Sequence, residues 1–200
     1  MVVAPSGVGK TSLTRRLVAD HNDLHLSISA TTREPRPGEH DGRDYHFVTK
    51  DKFQEMIAAD AFLEWAEVYG NFYGSPKPPI MEALERGESA LFDIDFQGAM
   101  KVHAQAQEDS VLVYILPPSL AEMSRRLHAR SQDSEEVIHR RLSRAKDEVA
   151  DWERFDYVIL NEDFDRAYSE LAHIYHAERL TRARNPLIGG LVGYILKEVI

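Results

Sequence analysis

The chain has 200 residues, 43% hydrophobic and 28% charged, with a formal net charge of −9 and no cysteine. Its length suits one sizeable domain, or a core carrying inserted lobes, and its composition is that of a globular chain and not a disordered one. The acidic balance argues against general nucleic-acid binding, which needs an excess of Lys and Arg, and the lack of thiols removes disulfide scaffolds, thiolate metal sites and cysteine nucleophiles.

Val2 and Val3 read as a buried first strand, short for one that feeds a glycine-rich loop, so that residues trimmed from the start are expected. No charged-then-apolar leader precedes them, and no window reaches the ~20 apolar residues that span a bilayer. No membrane association and a cytoplasmic location are expected. Ala4-Pro5-Ser6-Gly7-Val8-Gly9-Lys10-Thr11 leads into a helix over Thr11–Ala19, with Leu13, Leu17 and Val18 at helical spacing. Leu24–Ser29 reads as a strand. Residues 30–79 are punctuated by Pro35, Pro37, Gly38, Gly42, Gly70, Gly74, Pro76, Pro78 and Pro79 around short β-like runs and one helix, Lys52–Ala59, the texture of an inserted lobe. The alternation then resumes. Helix Ile80–Arg86, strand Ala90–Ile94, helix Gln97–Gln105 and strand Val111–Leu116 come first; helices Ser119–Ala129 and Ser134–Ala150, strand Tyr157–Leu160 and helix Phe164–Arg179 come after. Short apolar strands alternating with helices imply an α/β fold with a parallel sheet covered on both faces. The apolar tail after residue 185 carries three glycines, so it is expected to be a poor helix on its own and either to dock on the core or to form a contact between copies.

A glycine-rich loop closing on Gly-Lys-Thr between a strand and a helix turns successive backbone N–H groups toward phosphate oxygens at the helix N-terminus. Lys10 would reach the β- and γ-phosphates and the Thr11 hydroxyl would ligate Mg²⁺. Asp93, after Ala90-Leu91-Phe92, suits the strand-end carboxylate that organises that ion; a turn carboxylate is the blander reading. Arg33 and Arg36 lie on a Pro-restrained turn and could fork onto one phosphate, or be a solvated surface turn. Arg125, Arg126, Arg130, Arg140, Arg141 and Arg144, on two helices around Ser131-Gln132-Asp133, suit a lid over a triphosphate. The alternative is a surface laced with ion pairs to Glu122, Glu135, Glu136 and Glu148. His21 and His25 lack a third ligand and are not read as a metal site.

Several segments together resemble the guanylate kinases. They are the phosphate loop, Ser29–Glu39, Gly42–Phe47, Phe62–Glu67, Gly70–Ser75, Asp93–Gly98, the arginine lid and Leu160–Asp163, in the family's order over roughly residues 2–178. Ala4 stands where the strict loop pattern has Gly. The resemblance implies a P-loop NTPase-type parallel sheet flanked by helices (core 1–29, 80–125 and 143–184), an inserted mixed α+β GMP-binding lobe (30–79), a helical lid (126–142) and the tail (185–200). It implies Mg-dependent transfer of the γ-phosphoryl of ATP to GMP. By matching positions, Arg33, Arg36, Tyr45 and Tyr73 would hold the GMP phosphate, and Ser29, Glu64, Ser75 and Asp95 would read guanine. Arg126, Arg130 and Arg141 would line the transfer path and Asn161 would lie near adenine. Three departures bear on it: Pro76 follows Ser75, which could alter that loop's hydrogen bonding; Ala129 and Ser131 replace the glycines that usually flank the lid arginine, which would reduce lid flexibility; and the tail after Glu178 matches no part of the family's pattern. A sugar-phosphate kinase on the same scaffold would not need the guanine reader, and a non-catalytic interaction module would not need Lys10, Thr11 and the lid arginines.

Overall fold

Two-residue alternation along the core strands decides the architecture. The computed structural model describes residues 1–129 and 135–198. Strand β1 (Val2–Val3) pairs in parallel with β8 (Val113–Leu116), which pairs in parallel with β9 (Tyr157–Leu160). Strand β2 (Leu24–Ser27) pairs in parallel with β7 (Ser89–Phe92), and a parallel bridge from Val2 to Asp93 joins the two sets in the order β2-β7-β1-β8-β9. One face sends Val2, Leu91, Val113, Ile115 and Ile159 against α1 (Lys10–Asp20), α5 (Leu120–Ala129), α6 (Glu135–Ala150) and α7 (Phe164–Arg179). The opposite face sends Val3, Phe92 and Tyr114 against Ile80 of α3 (Lys77–Glu85) and Ala99 and Val102 of α4 (Phe96–Gln105). Side chains on a strand point alternately to either side, so each strand feeds two cores at once. Each buried Val, Leu or Ile contributes about 1.5–3 kcal/mol.

Between β2 and α3 the chain builds a second sheet, order β4-β3-β6-β5, from β3 (Ala30–Thr31), β4 (His46–Phe47), β5 (Phe62–Val68) and β6 (Asn71–Pro76). β5 and β6 form an antiparallel hairpin, and β3 joins β6 antiparallel and β4 parallel. This sheet has its own apolar cluster, in which Phe53 of α2 (Lys50–Ala58) stacks on Phe62 at 4.5 Å and on Phe72 at 5.4 Å. Thr49 caps α2, Asp95 caps α4 and Asp163 caps α7, each accepting from a first-turn N–H.

Two local expectations need correction. Helix α3 starts at Lys77, ahead of Ile80, with Pro78 and Pro79 inside its first turn. The prolines do not delay it, because first-turn residues have no intrahelical acceptor to lose. The tail, expected to be a poor helix, forms α8 (Pro186–Ile195) despite Gly189, Gly190 and Gly193. Pro186 occupies the first-turn position that its fixed φ favours, which offsets part of the glycine cost. The tail does not dock on its own core: Leu187 and Leu196 are about four-fifths exposed, and Ile188, Leu191, Val192, Tyr194 and Ile195 are exposed as well. Among the described residues no helix is long and apolar enough to cross a membrane.

Candidate active site

The glycine loop crosses from β1 to α1 with Gly7 at φ 85° and Gly9 at φ 101°, values that L side chains avoid. Space forbids substitution as well. A Cβ on Gly7 would lie 2.9 Å from Leu127, and one on Gly9 2.8 Å from the Asn161 amide. The loop wall, from Ala4 through Thr11, lines a cleft of about 550 Å³. Lys10 Nζ lies 2.8 Å from Asp93 Oδ1 and donates to the Ile94 carbonyl at 2.6 Å. Asp93 Oδ2 also accepts from Thr14 at 3.3 Å, so the carboxylate beyond β7 is fixed at both oxygens. Thr11 and Asp93 both line the cleft.

The same cleft extends to the second sheet, where Ser29, Arg36, Tyr45, Glu64, Tyr73 and Asp95 line it. Glu64, on β5, is buried, and Ser75 on β6 donates to its Oε1 at 2.7 Å. Burial pushes the Glu64 carboxyl up, the Ser75 hydroxyl draws it partly back, and neighbouring Asp95 raises it further. Helix α4 approaches so closely that a Cβ on Gly98 would sit 2.8 Å from Glu64 Oε2. Asp95 Oδ1 accepts from the Gly98 N–H at 2.9 Å. The Tyr45 and Tyr73 rings meet edge to face at 6.0 Å. Burial drives the Tyr45 hydroxyl up to about 12, so it remains a donor at neutral pH. Arg33 lies over Tyr45 and holds Glu39 through two contacts of 2.9 and 3.0 Å. Pro76 closes β6 and opens α3, leaving the Ser75 hydroxyl on Glu64.

The arginine helices divide between surface ion pairing and the cleft. Arg125 forks onto Glu122 at 2.6 and 2.7 Å, an exposed ion pair. Arg126 does not line the cleft. Its guanidinium is spent on Glu122 at 2.8 Å and, at 3.3 Å, on the carbonyls of Val8 and Asn161. Asn161, beyond β9, also lies behind the loop and is buried, its amide donating to Val8 O at 2.6 Å. Both side chains brace the phosphate loop from the rear. Arg141 and Arg144 of α6 do line the cleft, joined by Glu148, whose carboxyl burial pushes up. Arg130 and Ser131 lie outside the described residues. Sequence reasoning did not single out Tyr69, Phe96, Gln97 or Tyr114 on the cleft wall.

One cleft thus joins a phosphate loop to a wall of buried acceptors and tyrosines, and the guanylate kinase family model matches residues 1–178. The chain belongs to the guanylate kinase family. Among its relatives, a guanylate kinase of Caulobacter vibrioides is 86% identical over 200 residues, all of this chain and 94% of the relative. One of Maricaulis maris is 53% identical over 195 residues, 98% of this chain and 89% of the relative. The crystal structure of guanylate kinase from Anaplasma phagocytophilum superposes with a TM-score of 0.77 at 34% identity, covering 92% of this chain and 88% of that one. The guanylate kinase scaffold accounts for the parallel sheet and its flanking helices.

Proposed function

We infer that this chain transfers the γ-phosphoryl of ATP to GMP, giving ADP and GDP. The observation that carries this reading is the pairing, in one cleft, of a Lys10-bearing phosphate loop with the buried Glu64 acceptor, whose Oε1 is held from behind the cleft lining by Ser75. The sugar-phosphate kinase and the interaction-module readings are not favoured, since neither needs both ends. The test is a coupled assay of ADP formation with GMP, AMP, CMP, UMP and dGMP; a chain inactive with GMP would sink it.

The roles follow from chemistry. Backbone groups from Ala4 to Thr11 cradle the donor phosphates and Lys10 supplies a point charge to them. Arg36, Arg33, Tyr45 and Tyr73 offer guanidinium and hydroxyl donors to the GMP phosphate, while Glu64 and Asp95, with the hydroxyls of Ser29 and Ser75, serve guanine. Arg141 and Arg130 serve the transferring group, and Arg126 and Asn161 act through the loop they brace. Phosphoryl transfer asks the protein mainly for positioning and positive charge. Thr11 and Asp93 are hard oxygen donors of the kind Mg²⁺ takes, with Asp93 already oriented by Lys10 and Thr14. When bound, that ion neutralises charge on the donor phosphates. The proposed division is a core of 1–29, 80–125 and 143–184, a GMP lobe of 30–79, a lid of 126–142 and a tail of 185–200.

Arg33→Ala or Arg36→Ala is expected to raise the KM for GMP far more than that for ATP, because both guanidiniums serve the acceptor phosphate. Steady-state titration of each substrate checks this, and equal damage to both would place them on the wrong nucleotide.

The exposed apolar face of α8 suits a contact between copies of the chain, since an unpartnered surface of this kind is costly in water. Deleting residues 185–200 is expected to lower the mass seen in sedimentation velocity. An unchanged mass and unchanged Tm would leave α8 without a partner role.

A further inference from the structure

Tyr69 occupies the tip of the β5–β6 hairpin at φ 53°, followed by Gly70 at φ 80°, with Val68 paired to Asn71. Two successive positive φ values define the tight turn in which Asn, Asp or Gly is the comfortable first residue. A bulky aromatic there is disfavoured by the turn itself. The ring finds its reason across the cleft. Arg144 Cζ stands 4.6 Å from its centroid and Arg140 Cζ 5.2 Å, both on α6 and four residues apart, hence on one helix face. Both distances are within cation–π range. Tyr69, Arg144 and the neighbouring Arg141 all line the cleft. The hairpin belongs to the sheet carrying Glu64, whereas α6 carries Arg141 and Arg144 on the wall shared with the glycine loop. The contact therefore ties the acceptor side to the donor side at the cleft mouth.

We propose that Tyr69 is a positioning residue that latches the GMP lobe onto helix α6 and so orients Arg141 and Arg144 for transfer. The inference rests on the reading of the cleft as the place of ATP-to-GMP transfer. Its chemistry requires an aromatic face and makes no use of the hydroxyl. Tyr69→Phe therefore keeps the latch, whereas Tyr69→Asn removes it while giving the turn a residue it prefers.

The test combines kinetics, stability and distance. Tyr69→Asn is expected to keep or raise Tm and yet lower kcat about two- to five-fold, the scale of losing a cation–π contact to exposed arginines. KM for GMP and for ATP stay within about two-fold, because the latch orients arginines and does not hold either substrate. Tyr69→Phe keeps kcat. A purely structural residue would behave oppositely, since the better turn former would do no harm. Tyr69→Asn in an Arg144→Met background adds little further loss, because the partner is already gone. The chain has no cysteine, so spin labels can be placed directly through Lys52→Cys on α2 and Lys146→Cys on α6, both exposed. The distance distribution between the labels is expected to widen with Tyr69→Asn and not with Tyr69→Phe. Wild-type kcat together with an unchanged distribution in Tyr69→Asn would overturn the latch, as would a lower kcat accompanied by an unchanged distribution. Failure of the unmodified chain to phosphorylate GMP would instead overturn the functional reading.

Discussion

Lys10→Ala is expected to lower kcat by at least ~100-fold, the loss typical of removing one preorganised electrostatic stabiliser. The ammonium sits at the first turn of α1 beside Asp93, with each side chain of the pair about one-fifth exposed. Such a pair is partly solvated, and Asp93 retains the Thr14 hydroxyl when Lys10 is removed. The variant should therefore fold, which circular dichroism and a melting curve would check. The kinetic effect arises because, among the described residues, no other lysine lines the cleft. Its present partner is a carboxylate, so a bound triphosphate competes with Asp93 for the same ammonium. Retention of most of the activity would remove the phosphate-loop assignment.

A second large effect concerns base choice. Guanine presents N1–H and N2–H₂ donors side by side, whereas adenine presents an N1 acceptor and no 2-amino group. In the proposed reading an ionised Glu64 would accept both guanine donors and oppose the adenine lone pair. Buried polar groups left unpaired by the wrong base make rejection steep. A preference of at least ~1,000-fold for GMP over AMP in kcat/KM is expected on that ground. Glu64→Gln is expected to damage GMP use severely and change ATP affinity little. Ser75 donates to Oε1 of the native carboxylate, so the Gln carbonyl would turn to Ser75 and its NH₂ group would face the guanine donors. The carboxyl is raised by burial, so its proton returns at a higher pH than for an ordinary glutamate. The acid limb of kcat/KM for GMP should lie correspondingly high, because activity is lost as pH falls through that raised value. Equal use of AMP and GMP, or a Gln variant with native GMP kinetics, would overturn the guanine assignment.

Much of this was legible because the chemistry needs particular side chains at particular spacings. The glycine loop, Lys10 and the carboxylate after a buried strand could be read from residue types alone, and α7 and β9 from apolar periodicity. Arg126 and Asn161 could not be placed this way. Their principal contacts are backbone carbonyls, and a carbonyl has no residue type to signal it. Tyr69 was hidden for a related reason: a turn residue is judged by its turn, and its partners lie on a helix distant in sequence. The helix in the tail is not legible from glycine propensity, a local penalty, because a proline at the start of α8 acts against it. Arg125 on α5 and Arg144 on α6 differ chiefly in which neighbour the fold brings to them.

The place of β1 in the sheet sets an order on how the protein can be made. β1 leads directly into the nucleotide loop, yet it lies in the middle of the five core strands, flanked by β8 and by the residue that follows β7. Its partners, Asp93 and Val113, are translated long after it, and the Leu127 and Asn161 side chains that confine the loop come later still. A nascent chain therefore makes its glycine-rich loop before the residues that confine it. The early segment has no strand to join until residue 93 is out, since the central position closes only when both neighbours are present. The shape of the loop in this molecule is consequently set by residues as far along the chain as Asn161.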